Sequence, residues 1–475
     1  MGEGREGLRS ARGLSERETA VDDNRAPEYL WRLAEFACNT RLSDLAPRAF
    51  ERTRWVILDS LAVIAAGMQT GEMQAFVARH LAHAAPGSAW VIGMRRRAGA
   101  LDAALLNGTA GTWLELDEGS TQAKGHPGIQ IVPAALALSQ ERGLSGEALL
   151  LAVALGYEVS SRINRAARVR EIIHPHGTFG VIGAAVAVAR LSGFDQQQMV
   201  TLLNVAASMA MASSYRTLTH GATVRNIYTG HSGYMGQIAA RLVESGFSGE
   251  PDGVATTFGE ILGNAFAPDA VLSGLGREWL LAEGYFKLHP TARSIQTAID
   301  ALEDLMTRLP SGAIEPAHIT RITVSTYRLA ASKANARVTN SFGAKFSIPF
   351  AVASILYHGR SGLESFGETA VANPVIRALA LRVEVTENAA YSERYPQEQL
   401  CDLTVECADG TRHTGRCTMT KGEPCYPVSE AELEKKFFEL GVPIWGEPLV
   451  RWLHTTFSKI EAVRDMGTVA ETFLV

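Results

Sequence analysis

Cysteine is scarce and poorly spaced for holding a metal. Cys38, Cys401, Cys407, Cys417 and Cys425 form no C-x-x-C pair, and four of these five fall on or near one apparent hairpin. An iron–sulfur or zinc site is therefore not expected, and buried thiols in a reducing compartment account for the cysteines. Long apolar runs are also missing, none reaching the ~18 residues of a membrane span. Residues 1–25 have no apolar stretch of the signal-peptide kind and mix five arginines with six acids, which reads as a disordered leader. Positive charge has no surplus: 45 Lys and Arg against 50 Asp and Glu give a net charge of −5, so no basic face is offered to nucleic acid. Repeats and low-complexity linkers are absent too. These absences leave an expected soluble, cytoplasmic protein whose partners are neither membrane nor nucleic acid.

What is present favours helices. A chain of 475 residues exceeds what one hydrophobic core usually serves, so two domains are expected. Aromatics make up 7% of the chain, while Ala and Gly are plentiful in its first half, which suits closely approached helices. Pro27 to Cys38 and Pro47 to Gly67 each carry one apolar stripe after a proline-marked entry. Ser88 to Met94 reads as a short strand ending in a basic turn, Arg95-Arg96-Arg97. Further helices are expected over Ala98 to Thr112, Ile131 to Gln140, Ser145 to Val159, Thr178 to Leu191 and Gln196 to Ser213; the last two, apolar on most faces, must be enclosed by other helices. From about Gly276 the texture alternates. Strands are expected at Ile319 to Tyr327, Leu381 to Glu387, Cys401 to Cys407 and Arg412 to Met419, with Ala408-Asp409-Gly410 as a hairpin turn and helices at Ala292 to Arg308 and Phe346 to Tyr357. Helical pattern returns at Glu430 to Leu440 and Glu447 to Lys459. The expected fold class is mainly α: an all-helical domain over 26–275, a smaller α+β lid over 276–424, and C-terminal helices over 425–475 that rejoin the helical domain.

The chemistry concentrates at bends. Trp113 to Gly128 packs Glu115, Asp117, Glu118, Ser120, Thr121, Lys124 and His126 between two apolar helical runs. Pro127 and Gly128 are expected to forbid continuous helix there, placing His126 at a rigid bend facing the mouth of a helix pair. A solvated loop capping two helices is the alternative. A second histidine–proline bend, His174-Pro175-His176-Gly177, precedes the Thr178 helix and suits an anion at a helix N-terminus, or is a surface turn. Gly221 to His231 holds Arg225 and Tyr228 in a glycine-punctuated loop, suited to a guanidinium fork for a carboxylate or to a solvated arginine. Phe286-Lys287-Leu288-His289-Pro290 forms a third basic bend, where the second domain begins.

Taken with Gly246-Phe-Ser-Gly249, Ile299-Asp300-Ala301 and Ala344-Lys345-Phe346-Ser347, these motifs in this order resemble the MmgE/PrpD family from about residue 28 onward. That family includes 2-methylcitrate dehydratase, cis-aconitate decarboxylase and iminodisuccinate epimerase. The resemblance implies a large helical domain built from both chain ends, a smaller α+β lid, a cleft between them and a homodimer. It also implies chemistry with no metal and no organic cofactor, on a small anionic polycarboxylate whose α-carbon gains or loses a proton or whose carboxylate leaves.

Such chemistry needs cations to clamp the carboxylates and an acid/base group at the reacting carbon. Matched to the family's motifs, His126, Asp117, His174 and Lys287 are the expected catalytic set: His126 transfers the proton, Asp117 orients or protonates His126, and His174 and Lys287, with Arg225, hold carboxylates. Glu115, Thr121 and Tyr228 join Arg225 as expected substrate-binding residues. The chain departs from the family's pattern at Glu115, Gly119-Ser120, Gln296 and Phe350, and Arg225 stands where many members have lysine. The loss of an imidazole at 296 and a phenol at 350 implies an altered pocket. Water elimination from a hydroxy-polycarboxylate is the first reading of function. Epimerisation, isomerisation or decarboxylation of a related acid is the second, and a catalytically silent acid-binding protein is the third.

Overall fold

The computed structural model describes residues 25–309 and 314–472; residues 1–24, nearly all of the expected leader, lie outside the described residues. The chain folds around two apolar cores. The first is helical and draws on both chain ends, from Tyr29 to Phe286 and again from Val428 to Ala470. The second gathers Ile295 to Leu305 with Ile322, Val324, Phe350, Leu403 and Val405. Among the described residues no helix is long and apolar enough to cross a membrane.

Small side chains decide the first core. The helix Phe179–Ser192 is buried from Phe179 through Ala189 and packs against Pro127–Glu141, Gly146–Ala166 and Ile227–Glu244. Gly156 lets two backbones meet, since a Cβ there would stand 2.4 Å from the Gly183 carbonyl oxygen. The last helices contribute to this first core. Glu430–Trp445, opened by a reciprocal Ser429–Glu432 capping box, packs on Pro47–Gly67, and Lys436 Nζ reaches Asp59 Oδ1 at 2.5 Å and the Leu116 carbonyl at 2.8 Å.

In the second core, a four-stranded sheet runs in the order Val383–Glu387, Ile319–Thr326, Cys401–Cys407, Arg412–Cys417. The first pair is parallel and the other two are antiparallel. Helices Arg293–Thr307 and Ile348–His358 cover it. Cys401 and Cys417 sit opposite each other in register as buried free thiols, whereas Cys425 is exposed.

Two local expectations are corrected. Arg96–Ala98 is a strand that pairs antiparallel with Ala89–Val91, so the three arginines are not simply a turn. No continuous helix joins the two apolar runs and His126 is the non-helical cap, as expected, but the second helix starts at Pro127 and not at Ile131, because proline lacks the N–H that a first helical position leaves unused. Gly128 is required by a close approach: its N–H donates to Glu118 Oε1 at 2.7 Å, and a Cβ would lie 2.5 Å from that oxygen. Tyr157 donates its hydroxyl to Glu118 Oε2 at 3.0 Å, and the Glu118 N–H donates to Asp59 at 3.1 Å. Burial pushes the Glu118 carboxyl up to about 7, with Arg52 and His126 pulling it back only in part.

Two outcomes follow from this packing. Gly156→Val should cost about 1–3 kcal/mol through overpacking, read as a lower melting temperature or soluble yield; a variant as stable as the parent would contradict the close approach. Glu118 holds a proton in the folded chain that the unfolded chain releases near its ordinary 4.5, so its contribution is complete below that pH and is lost as pH rises through about 7. The loss amounts to roughly 3 kcal/mol at about 1.4 kcal/mol per pH unit. Urea midpoints across that window should fall with pH in the parent protein and fall less in Glu118→Gln.

Candidate active site

The irregular run from Thr112 to His126, the bend at His174–Thr178, the short turn Thr223–Asn226 and lid residues around Ala292–Ser294 surround a cavity of about 340 Å³. His126, His174, Arg225, Glu115 and Thr121 line it. Asp117, Lys287 and Tyr228 do not: all three are buried behind the lining, with the Tyr228 ring centroid 5.6 Å from that of His174. Residues distant in the chain are thus brought to one place, in two layers.

The inner layer is ionic. Glu115 Oε2 lies 2.7 Å from Arg225 Nη2, and Glu115 Oε1 lies 3.2 Å from Lys287 Nζ, which also stands 3.8 Å from Asp117 Oδ1. Lys287 donates to the Glu115 carbonyl as well, at 3.1 Å, so its ammonium is already met by protein carboxylates. Arg225 donates to Thr112 Oγ1 and to the Thr112 carbonyl. Glu115 has a φ of +54°, a strained conformation for a side chain of its size, costing about 1–3 kcal/mol. The two cations that grip its carboxylate hold it there. Burial alone would raise both carboxyls; Arg225 and Lys287 outweigh it at Glu115, and His126 and Lys287 at Asp117, so both are held below the usual range and stay ionised.

Hydrogen bonding settles the tautomers of His126 and His174. His126 Nδ1 lies 2.8 Å from the Glu118 carbonyl oxygen and 2.9 Å from Asp117 Oδ2. Both are acceptors, so Nδ1 carries the proton and Nε2 is the ring atom left for the cavity. His174 is the reverse. Its Nδ1 accepts the backbone N–H of His176 at 3.0 Å, and burial, with Arg225 next, pushes its pKa well below the ordinary value. A neutral ring whose Nδ1 accepts must carry its hydrogen on Nε2. Arg225 Nε stands 3.4 Å from that atom, so two N–H donors face one another, and one anionic acceptor placed between them would satisfy both.

Several residues near the cavity carried little sequence signal. His176 lines it, although its bend drew attention only for His174. Arg293 lines it with its guanidinium 4.6 Å from the Tyr285 ring centroid, anchored by Glu423 at 3.0 Å and Gln296 Oε1 at 2.8 Å. Lys333 and Lys345 are buried lid lysines. The Lys333 ammonium is 5.2 Å from the ring centroid of the lining Tyr215, and burial lowers Lys345 to about 8. Of the departures, Glu115, Ser120 and Arg225 line the cavity, whereas Gln296 and Phe350 do not. Gln296 donates to the His289 and Thr291 carbonyls, and Phe350 packs beside Phe366 in the lid core. Gly119 exchanges backbone hydrogen bonds with Tyr285 at 3.0 and 2.6 Å, tying the acidic loop to the crossing into the lid.

Among the described residues, two groups have donor atoms close enough to share a cation: Asp117, His126 and His176, and, away from the cavity, His289, Asp300 and Glu303. In the first, Lys287 already stands 3.8 Å from the Asp117 carboxylate, and His126 Nδ1 is spent on Glu118 and Asp117. A divalent ion there would face two fixed cations, Lys287 and Arg225, across a few ångströms, which disfavours it. In the second, His289 Nε2 lies 3.5 Å from Asp300 and 3.8 Å from Glu303, and these carboxylates together raise its pKa against the opposing effect of burial, as for a protonated imidazole.

Comparison with known proteins agrees with this architecture. Residues 31–266 match the MmgE/PrpD N-terminal domain and residues 289–451 the MmgE/PrpD C-terminal domain. The chain is similar to cis-aconitate decarboxylase of Aspergillus terreus, with 22% identity over 95% of this chain and 97% of the relative. It is also similar to the cis-aconitate decarboxylases of Mus musculus, 26% identical over 77% of each chain, and Homo sapiens, 26% identical over 70% of this chain and 71% of that one. Since the two domain matches follow one another in chain order and together cover most of the described residues, the chain belongs to the MmgE/PrpD family.

Proposed function

We propose that the protein is a lyase acting on a small polycarboxylate, with decarboxylation of a cis-aconitate-like acid as the first reading. The observation that carries the proposal is the opposition of His126 Nε2, backed by Asp117, to the paired donors of His174 and Arg225. The sequence alone put water elimination first. The relatives' names move decarboxylation ahead of it, and both reactions use a proton carried by His126 at a carbon beside a carboxylate.

The steps balance as follows. One carboxylate of the bound acid leaves as carbon dioxide. The electron pair of the broken bond forms a new double bond and displaces the old one onto the carbon beside another carboxylate, which holds it as an enediolate. Protonated His126 delivers the Nε2 proton to that carbon and regains one from solvent. The ionised Asp117 stabilises the imidazolium between turnovers, and Lys287 keeps Asp117 and Glu115 ionised. His174 Nε2–H and the Arg225 guanidinium bind a carboxylate that does not react, Thr121 contributes a hydroxyl at the wall, and Tyr228 backs the His174 ring. Glu115 and Asp117 balance Arg225 and Lys287, so the buried Lys333 and Lys345 add positive charge suited to a polyanion. The reading extends to a cytoplasmic homodimer divided near residues 275 and 425 into helical core, lid and returning helices.

Proton NMR in deuterated water tests the proposal. With cis-aconitate, loss of one carbon and entry of one deuterium are expected; with a hydroxy acid, loss of water marks the second reading. Solvent exchange without net change would point to an epimerase, and no change with any acid tried would leave only a binding protein. His126→Ala should lower kcat by about 10²–10⁴-fold with unchanged circular dichroism. Asp117→Asn should fall in the same range, because an amide permits the wrong imidazole tautomer. Full turnover in His126→Ala would remove this residue from the mechanism.

A further inference from the structure

Among the polar side chains of the cavity that the reading above leaves unused, His176 is the imidazole beside His126 and His174. His176 is fully buried, and among the described residues neither its Nδ1 nor its Nε2 has a hydrogen-bond partner. Everything else about its segment is satisfied. Its backbone N–H is held by His174 Nδ1 at 3.0 Å, its carbonyl by Ser213 Oγ at 3.2 Å, and the next N–H by Gln130 Oε1 at 3.1 Å. A bend pinned this firmly has no freedom to swing the ring elsewhere. Leaving both nitrogens of a buried imidazole unpaired is costly, a cost that a ligand meeting those atoms would offset.

Its position says which part of a ligand that would be. The His176 ring stands edge-on to His126, with centroids 4.8 Å apart, and edge-on to His174 at 4.7 Å. It therefore lies between the group assigned to proton transfer and the group assigned to carboxylate binding. We propose that His176 is a further substrate-contacting residue, whose imidazole N–H binds the carboxylate attached to the carbon that His126 protonates. This rests on the reading of the cavity as a polycarboxylate lyase site. Burial, with Arg225 and the two neighbouring histidines next, keeps the ring neutral, so it serves as a hydrogen-bond donor and not as a charge. Negative charge grows on that carboxylate as the enediolate forms, so the bond strengthens along the reaction and acts on kcat more than on KM.

The test compares His176→Gln, which keeps an amide N–H, with His176→Leu, which keeps bulk and loses the donor. In each, turnover of cis-aconitate, the melting temperature and binding of the unreactive propane-1,2,3-tricarboxylate are measured. His176→Leu should lose about 10²-fold in kcat with KM within about threefold of the parent, and His176→Gln should retain most of the lost activity. If His176→Leu melts early, His176→Ala with added imidazole replaces it, and recovery of turnover by imidazole is expected. Parental kcat in His176→Leu, equal losses in the Gln and Leu variants at parental stability, or no recovery with imidazole would each overturn the assignment. So would a stoichiometric divalent metal in the purified protein whose chelation abolishes turnover, because His176 would then be a ligand with Asp117 and His126. A parent protein that neither binds nor converts any polycarboxylate would instead sink the lyase reading, and this inference with it.

Discussion

The buried ionic group of Glu115, Arg225, Lys287 and Asp117 constrains everything around it. Each member comes from a segment that would otherwise be independent: the acidic loop, the turn before helix Ile227–Glu244, and the crossing into the lid. Charges taken from water cost several kcal/mol each, and that cost is offset only when partners stand at short distance in fixed geometry. No member can therefore be buried without the others. The cluster explains why a glutamate tolerates a positive φ and why the lid crossing is tied to the acidic loop by backbone bonds. It also sets the field in which the histidines titrate.

That field sorts the three imidazoles by role. His126 has Asp117 against one nitrogen, so a proton arriving on the other is stabilised by a nearby carboxylate. His174 and His176 face Arg225 and lie deep in the protein, and both are kept neutral. Residues of one type, drawn from two histidine–proline or proline–histidine bends, thus become one proton carrier and two neutral donors. The difference arises from what each ring touches.

Much of the fold was readable because local pattern and tertiary demand agree. The Ala- and Gly-rich helices were expected where they are found, and the strand Cys401–Cys407 matches residue for residue, since alternation over a half-buried sheet admits no other register. The misreadings have physical causes. The helix expected from Ile131 begins at Pro127, because a first-turn proline starts a helix and Glu118, ten residues earlier, receives the Gly128 N–H. Arg96 and Arg97 pair as a strand because a neighbour across the turn supplies the ladder. Lys287 was assigned to substrate carboxylates because a lysine in a basic bend reads as free; in the fold Glu115 has already met it. His176, Lys333 and Lys345 drew no role because burial is invisible in a polar residue without its partners.

By itself, the sequence determined the mainly helical class, the smaller mixed unit and the family, since periodicity and motif order are properties of the chain read locally. Only the tertiary structure decided which charged residues face one another, which imidazole nitrogen carries hydrogen, and which bends open on the cavity. Those depend on partners from 2 to 172 positions away, and on a low-dielectric interior that no local pattern encodes.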